Sequence, residues 1–169
     1  MSPSDHFSDR FAEELVALLP ALRRYALSLA RRADQAEDLV QTAVERAIAA
    51  RDRRDPDVPL QAWAFRILRN AFIDQTRRSA TRGDTLDIAD HPDLLSVDGA
   101  RQTEDHLMLS AARAAMDALP PDQRDVMHLV CIEEMSYAET AALLGIPIGT
   151  VMSRLARARA AVAKTLGIN

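Results

Sequence analysis

Hydrophobic residues recur every three or four positions along most of this chain, which is the spacing of one face of an α-helix. The first such pattern covers residues 8–32, and a second runs from Asp34 to about Ala50. Pro20 lies inside the first pattern, where it predicts a kink or a break. Asp34, with Glu37 three positions later, is typical of a helix N-cap. We therefore expect two amphipathic helices at the N-terminal end.

A third amphipathic pattern begins near Leu60 and ends near Arg78. Residues 51–59 precede it with two prolines and six charged residues, which predicts a loop. The helix expected after this loop has one buried stripe, formed by Leu60, Trp63, Ala64, Ile67, Leu68 and Ala71.

The residues that follow position 103 predict a helix-turn-helix. Helices are expected near 104–118 and over 121–132. The capping-box pair Ser136 and Glu139 then opens a short helix that ends at Gly145, and a longer basic helix follows.

Helical periodicity is lost over residues 79–103, which contain many aspartates and predict a solvated linker. We therefore expect an all-α fold of two small helical domains, residues 8–80 and 104–167, joined by a flexible acidic linker at 81–103.

Composition fits this prediction and excludes several classes of protein. With 169 residues, 48% hydrophobic and 27% charged, the chain can form a core and stay soluble. Five glycines and 4% aromatic residues disfavour an all-β fold. No apolar run is long enough to span a membrane, and the N-terminus lacks an apolar signal core, so we expect a cytoplasmic protein with no membrane insertion. Cys131 is the one cysteine, and its apolar surroundings predict a small core residue.

The net charge of −4 seems to argue against nucleic-acid binding, but its distribution changes this view. Residues 51–82 carry 8 basic and 4 acidic groups, and residues 149–169 carry 4 basic groups and no acidic one. Residues 83–105 between them have a net charge of −6. The chain thus has two basic blocks on either side of an acidic stretch.

The last helix separates its apolar and polar residues around its axis. At 100° per residue, Val151, Leu155 and Ala158 share a buried arc of about 80° with Val162 and Leu166. A second arc of about 100° carries polar groups suited to base edges and phosphates, namely Thr150, Ser153, Arg154 and Arg157. These residues predict DNA binding, and the alternative is an ordinary solvated basic face.

The helix at 60–78 has a comparable polar face. Arg66, Arg69, Asn70, Ile73 and Arg77 occupy an arc of about 100° outside the buried stripe. Three arginines beside an asparagine indicate a nucleic-acid surface, and a solvated basic face explains them equally well.

The second helix carries a polar stripe, Asp38, Gln41 and Glu45, that could dock a basic partner or be simply solvated. Enzyme signatures are absent, since the sequence has no phosphate loop, dinucleotide fingerprint, nucleophile motif or metal-ligand pair. We expect no catalytic activity, cofactor, metal or small-molecule substrate.

These segments resemble, in order, the conserved regions of group IV (extracytoplasmic-function, ECF) sigma factors of bacterial RNA polymerase, a branch of the sigma-70 family. Residues 36–41 (AEDLVQ) resemble region 2.2, and residues 60–78 resemble regions 2.3 and 2.4. Residues 119–124, 135–139 and 149–159 resemble region 4. The resemblance covers about residues 10–165 and leans towards the general-stress group of alphaproteobacteria.

The resemblance implies a sigma2-like helical bundle and a sigma4-like helix-turn-helix that bind core RNA polymerase and direct it to promoter DNA. Asp38, Leu39 and Gln41 would contact the polymerase clamp, and the protein would also meet the flap. The minus-10 element would be recognised and melted by Arg66, Asn70, Asp74 and Arg77. The minus-35 element would be read by Thr150, Ser153, Arg154 and Arg157.

The loop at 54–61 would receive a flipped base. Many members of the family have an aromatic residue where Arg54 stands and a basic residue where Met152 stands, so these two positions depart from the pattern. Regulation by an anti-sigma factor, in a stress response, is also implied.

Two other functions compete with promoter recognition. One is a sigma mimic, a protein-binding module that titrates an anti-sigma factor without reading promoters. The other is an ordinary helix-turn-helix repressor, which would leave the first helical unit and the acidic linker unexplained.

Overall fold

The structure is a computed structural model that describes residues 3–82 and 104–168. Its described residues form seven α-helices and no β-strand, so the prediction of an all-α fold is confirmed. In chain order these helices are α1 (Pro3–Ala30), α2 (Ala33–Ala50), α3 (Leu60–Arg82), α4 (Glu104–Asp117), α5 (Pro121–Met127), α6 (Tyr137–Leu144) and α7 (Ile148–Leu166).

The helices divide into two compact units, α1–α3 and α4–α7. The expected domain limits, 8–80 and 104–167, stay predictions. The linker expected at 81–103 falls almost wholly outside the described residues.

In the first unit, the three helices pack against one another around aromatic pairs. Tyr25 and Phe65 meet edge to face with ring centroids 5.2 Å apart, and Phe11 meets Trp63 at 6.3 Å. Each pair joins α1 to α3, and all four side chains are buried. Edge-to-face pairs of this kind add to the free energy gained by burying the rings.

Helix α1 continues through Pro20 and is not broken there. Proline removes one backbone hydrogen bond from a helix. Since Pro20 is exposed, water can replace the lost bond on the solvent side of α1.

The expectation that Asp34 is the N-cap of the second helix is wrong. Helix α2 begins at Ala33, its N-cap is Arg32, and no side chain caps it. The Asp34 carboxylate instead accepts two hydrogen bonds from the Arg32 guanidinium, at 3.1 Å from Nε and 2.8 Å from Nη2. These bonds lower the pKa of Asp34 to about 2. The carboxylate keeps its charge in the first turn of α2, where the helix dipole favours an anion.

In the second unit, α5, α6 and α7 pack around a small core of Val126, Ala141, Val151 and Leu155. The capping box that opens α6 is present as expected: the Glu139 amide donates to Ser136 Oγ at 3.2 Å, and the Ser136 amide donates to Glu139 Oε2 at 2.9 Å. Gly145 ends α6 with a φ of 67° and turns the chain into α7. This left-handed conformation favours glycine, which has no Cβ.

The expectation that Cys131 is a core residue is wrong, because its side chain is exposed. Helix α5 passes into a π-helical turn at His128–Ile132. A π-turn holds one more residue than an α-turn, so the residues after it face different directions from those that an α-helix predicts. His128 and Glu133 are consequently buried together, with Nε2 and Oε1 3.1 Å apart, while Cys131 and Ile132 face outwards.

Candidate nucleic-acid and polymerase interfaces

The polar face of α7 exists because the opposite side of the helix is buried. Val151, Leu155 and Ala158 are each at most 2% exposed and fix the rotation of α7 against the second unit. Ser153 and Arg157 are then exposed, and Thr150 is half-buried. The structure thus brings the expected minus-35 residues to one face.

Short-range hydrogen bonds order this face along the helix. Ser153 Oγ donates to the Thr150 carbonyl oxygen at 3.1 Å, and Arg157 Nε donates to the Ser153 carbonyl oxygen at 3.2 Å. The guanidinium of Arg157 therefore lies back along α7, and its other N–H groups can donate to a phosphate or a base edge.

Arg154 differs from its neighbours because it is paired across helices. Its Nε lies 3.1 Å from Asp122 Oδ2, and its side chain is 26% exposed. Asp122 stands in the first turn of α5, directly after Pro121. Asp122 is not among the residues predicted from the sequence; the available signal was an acidic residue at the start of a helix that packs on α7.

On α3, Arg66, Asn70 and Arg77 are exposed and lie on one face, as the helical wheel predicts. Asp74 is half-buried, and its Oδ2 accepts from Arg46 Nη1 on α2 at 2.8 Å. The structure therefore ties Asp74 to α2 while leaving the other three side chains open. Arg46 was not singled out from the sequence, since the two residues are 28 positions apart.

The loop between α2 and α3 is short and internally bonded. A 3₁₀ turn at Arg51–Arg53 opens it, and Arg54 Nη1 then donates to the Val58 carbonyl oxygen at 2.8 Å. The Asp57 amide donates to Asp55 Oδ1 at 3.0 Å. Arg54 therefore closes the loop that is expected to receive a flipped base.

Of the three residues of α2 that are expected to contact polymerase, only two lie at the surface. Asp38 and Gln41 are exposed, and Gln41 Nε2 donates to Glu45 Oε1 at 3.1 Å. Leu39 is 1% exposed and lies in the core. The structure therefore does not bring Leu39 to the same surface as Asp38 and Gln41.

Over residues 3–82 and 104–168, no group of histidine, cysteine, aspartate or glutamate side chains is arranged to hold a metal ion. None of the helices in these ranges is long and apolar enough to cross a membrane.

Two family models match the chain, and each covers one of the helical units. The model for Sigma-70 region 2 matches residues 15–82, and the model for Sigma-70, region 4 matches residues 109–162.

Curated proteins and a solved structure are similar over nearly the whole chain. The ECF RNA polymerase sigma factor EcfG of Rhodopseudomonas palustris is 38% identical over 162 residues, which is 96% of this chain and 88% of that protein. The ECF sigma factor SigM of Mycobacterium tuberculosis is 33% identical, over 86% of this chain and 71% of its own. The sigma factor RpoE of Bartonella quintana, solved in complex with the anti-sigma factor NepR, is 35% identical with a TM-score of 0.78, over 95% of this chain and 98% of its own.

Proposed function

The chain belongs to the ECF family of RNA polymerase sigma factors, and from this we propose that it binds core RNA polymerase and directs transcription from specific promoters. The resemblance found in the sequence is confirmed. Family membership also confirms that the protein is a transcription initiation factor and not an enzyme.

The observation that carries the proposal is the polar face of α7. Thr150, Ser153, Arg154 and Arg157 share it, and it follows a capped helix and a glycine turn at helix-turn-helix spacing. A recognition helix inserts such a face into the major groove, where arginine pairs with guanine and hydroxyl groups bind either base or phosphate. We assign this face to the minus-35 element.

The exposed face of α3 is assigned to the minus-10 element. Asn70 would bind bases of the non-template strand, and Arg66 and Arg77 would bind its phosphates. Asp74 is assigned with them, although its pairing with Arg46 supports a role in holding α3 against α2. The loop closed by Arg54 is the proposed site of the flipped base.

Asp38 and Gln41 form the proposed contact with the polymerase clamp. Leu39 would support this contact indirectly, because its burial fixes the rotation of α2 that exposes Asp38 and Gln41. A second contact with the polymerase flap is expected of the α4–α7 unit.

An anti-sigma factor is the proposed regulator, because the similar sigma factor RpoE was solved with NepR. The resemblance to the general-stress group favours a stress response as the setting. The proposed location is the cytoplasm, where bacterial RNA polymerase acts.

Run-off transcription with purified core polymerase tests this function. A genomic library of templates is transcribed with and without the protein, and we expect promoter-dependent products only when it is present. The control is the Asn70→Ala, Arg157→Ala variant, which should bind core polymerase but yield few products. Binding to an anti-sigma factor with no product from any template would contradict the proposal and favour a sigma mimic.

A further inference from the structure

The ion pair between Asp122 and Arg154 places a carboxylate beside a side chain that is proposed to read DNA. A free carboxylate near a DNA-facing surface repels phosphate and so weakens the affinity for DNA. Its presence there suggests that it has another role. The pair joins α5 to α7, which are packed against each other. Asp122 therefore belongs to the helix that supports the recognition helix and not to the recognition helix itself.

Asp122 is well placed to hold a guanidinium. It lies in the first turn of α5 behind Pro121, whose ring fixes the backbone there. Asp122 Oδ2 lies 3.1 Å from Arg154 Nε in this ion pair. The two terminal nitrogens of the guanidinium are the ones that make a bidentate contact with guanine O6 and N7.

The position of Arg154 around α7 explains why it needs such support. At 100° per residue it lies about 40° from the buried Ala158, whereas Arg157 and Ser153 lie further from the core. Its side chain leaves the helix beside α5 and has several rotamers available. A partner that fixes one of them lowers the entropy lost when the arginine binds a base.

We propose that Asp122 is a positioning residue that orients Arg154 for base readout in the minus-35 element and restrains it from binding phosphate indiscriminately. This inference rests on the proposed function. Asp122 sets the specificity of the arginine, and the arginine makes the contact.

The test measures specificity with the full chain in holoenzyme. Each base pair of the minus-35 element of an identified promoter is replaced in turn, and transcription is compared for wild type, Asp122→Asn, Asp122→Glu and Arg154→Ala. An arginine that reads a base pair gives discrimination of about 10-fold to 100-fold at that position. In Asp122→Asn we expect this discrimination to fall by about 3-fold to 10-fold, at the position that Arg154→Ala also relaxes.

Three further readouts separate positioning from a structural role. Asp122→Glu should restore most of the discrimination, and Asp122→Asn should add nothing in the Arg154→Ala background. The slope of log affinity against log salt should steepen by about one in Asp122→Asn, because one more cation becomes free to bind phosphate. Glu14→Gln is the matched control, since it removes a carboxylate from the exposed Arg10–Glu14 pair on α1 and should change neither readout.

Two results would overturn the inference. Unchanged discrimination in Asp122→Asn would show that Arg154 needs no partner. Equal losses at every base pair, with no rescue by Asp122→Glu, would show that Asp122 only stabilises the fold. Neither result affects the proposed function, whose own failure is recognised separately by the absence of any promoter-dependent product with the wild type.

Discussion

The five charged residues assigned to DNA recognition have different surroundings, and these surroundings distinguish their roles. Arg66, Arg77 and Arg157 are exposed, whereas Arg154 and Asp74 are each paired with an opposite charge on a neighbouring helix. Exposed arginines suit contacts with phosphate, which tolerate many geometries. A paired arginine has a defined orientation, which suits contact with a base edge.

Arg154→Ala should weaken promoter binding by about 1–3 kcal/mol and relax preference at one base pair. The physical reason is the loss of a bidentate contact that discriminates between bases. Holoenzyme binding to labelled promoter fragments measures the change. Arg159→Ala is the control, because Arg159 is exposed on the same helix but faces Cys131. Equal losses in both variants would contradict the assignment.

Ser136→Ala should destabilise the second unit by about 1 kcal/mol, because it removes the N-cap of α6. It should also raise the pKa of Glu139, which is lowered in the native protein by hydrogen bonds from the Ser136 hydroxyl and backbone amide. A carboxyl whose folded-state pKa is lowered stabilises the protein above its unfolded-state pKa. That stabilisation is lost as the pH falls through the folded-state pKa.

Urea denaturation at neutral and acidic pH and an NMR titration of Glu139 measure these effects. The stability difference between Ser136→Ala and the wild type should narrow at acidic pH. Ser136→Thr retains a hydroxyl group and should keep the lowered pKa. An identical Glu139 pKa in the alanine variant would count against the capping box.

At the scale of elements, the turn between α6 and α7 decides where the recognition helix points. Gly145 ends α6 in a left-handed conformation, and Gly149 lies within the first turns of α7. A Cβ at either glycine would meet no other atom within 4 Å. The two glycines therefore differ in backbone conformation and not in the space available for a side chain.

Gly145→Ala should destabilise the second unit by about 1–2 kcal/mol, which is the cost of a left-handed conformation in a residue with a Cβ. Gly149→Ala should leave stability unchanged or raise it by up to about 1 kcal/mol, because alanine favours a helix. Hydrogen exchange of the α6 and α7 amides reports on this unit alone. Similar effects in both variants would mean that the turn does not depend on the φ of Gly145.

The helices of both units were largely predictable from the sequence, because caps, glycines and hydrophobic spacing act over a few residues. The sequence indicated the three helices of the first unit and the capping box of α6 correctly. Two local predictions were wrong. Asp34 does not cap α2, because its carboxylate binds the Arg32 guanidinium, and Cys131 is not buried, because a π-turn changes the direction of the side chains. Neither a competing ion pair nor an extra residue in a helical turn changes the spacing of hydrophobic residues along the sequence.

At the scale of the whole molecule, the net charge of −4 conceals the chemistry of the two units. The two basic segments, residues 51–82 and 149–169, contain the faces of α3 and α7 that are assigned to DNA. Since the total is acidic, the isolated chain should bind DNA weakly. Core polymerase should supply the remaining affinity, which makes the polymerase contact decisive.

Asp38→Arg should weaken binding to core polymerase by at least about tenfold, because it places a like charge against a basic partner surface. Gln41→Ala should weaken it less, since it removes only a neutral group. Fluorescence titration of core polymerase measures both. Glu13→Arg makes the same change of charge at an exposed position of α1 and should bind normally. Full binding by Asp38→Arg would remove the assignment of this surface.

By itself, the sequence determined the helical class, the order of the elements and the residue types on the faces of α3 and α7, because each depends on neighbours within one or two helical turns. Only the tertiary structure decided how those residues are held. It paired Arg154 with Asp122, paired Asp74 with Arg46 and buried Leu39 beneath Asp38 and Gln41. These outcomes depend on packing between helices that are distant along the chain, so no local pattern of the sequence encodes them.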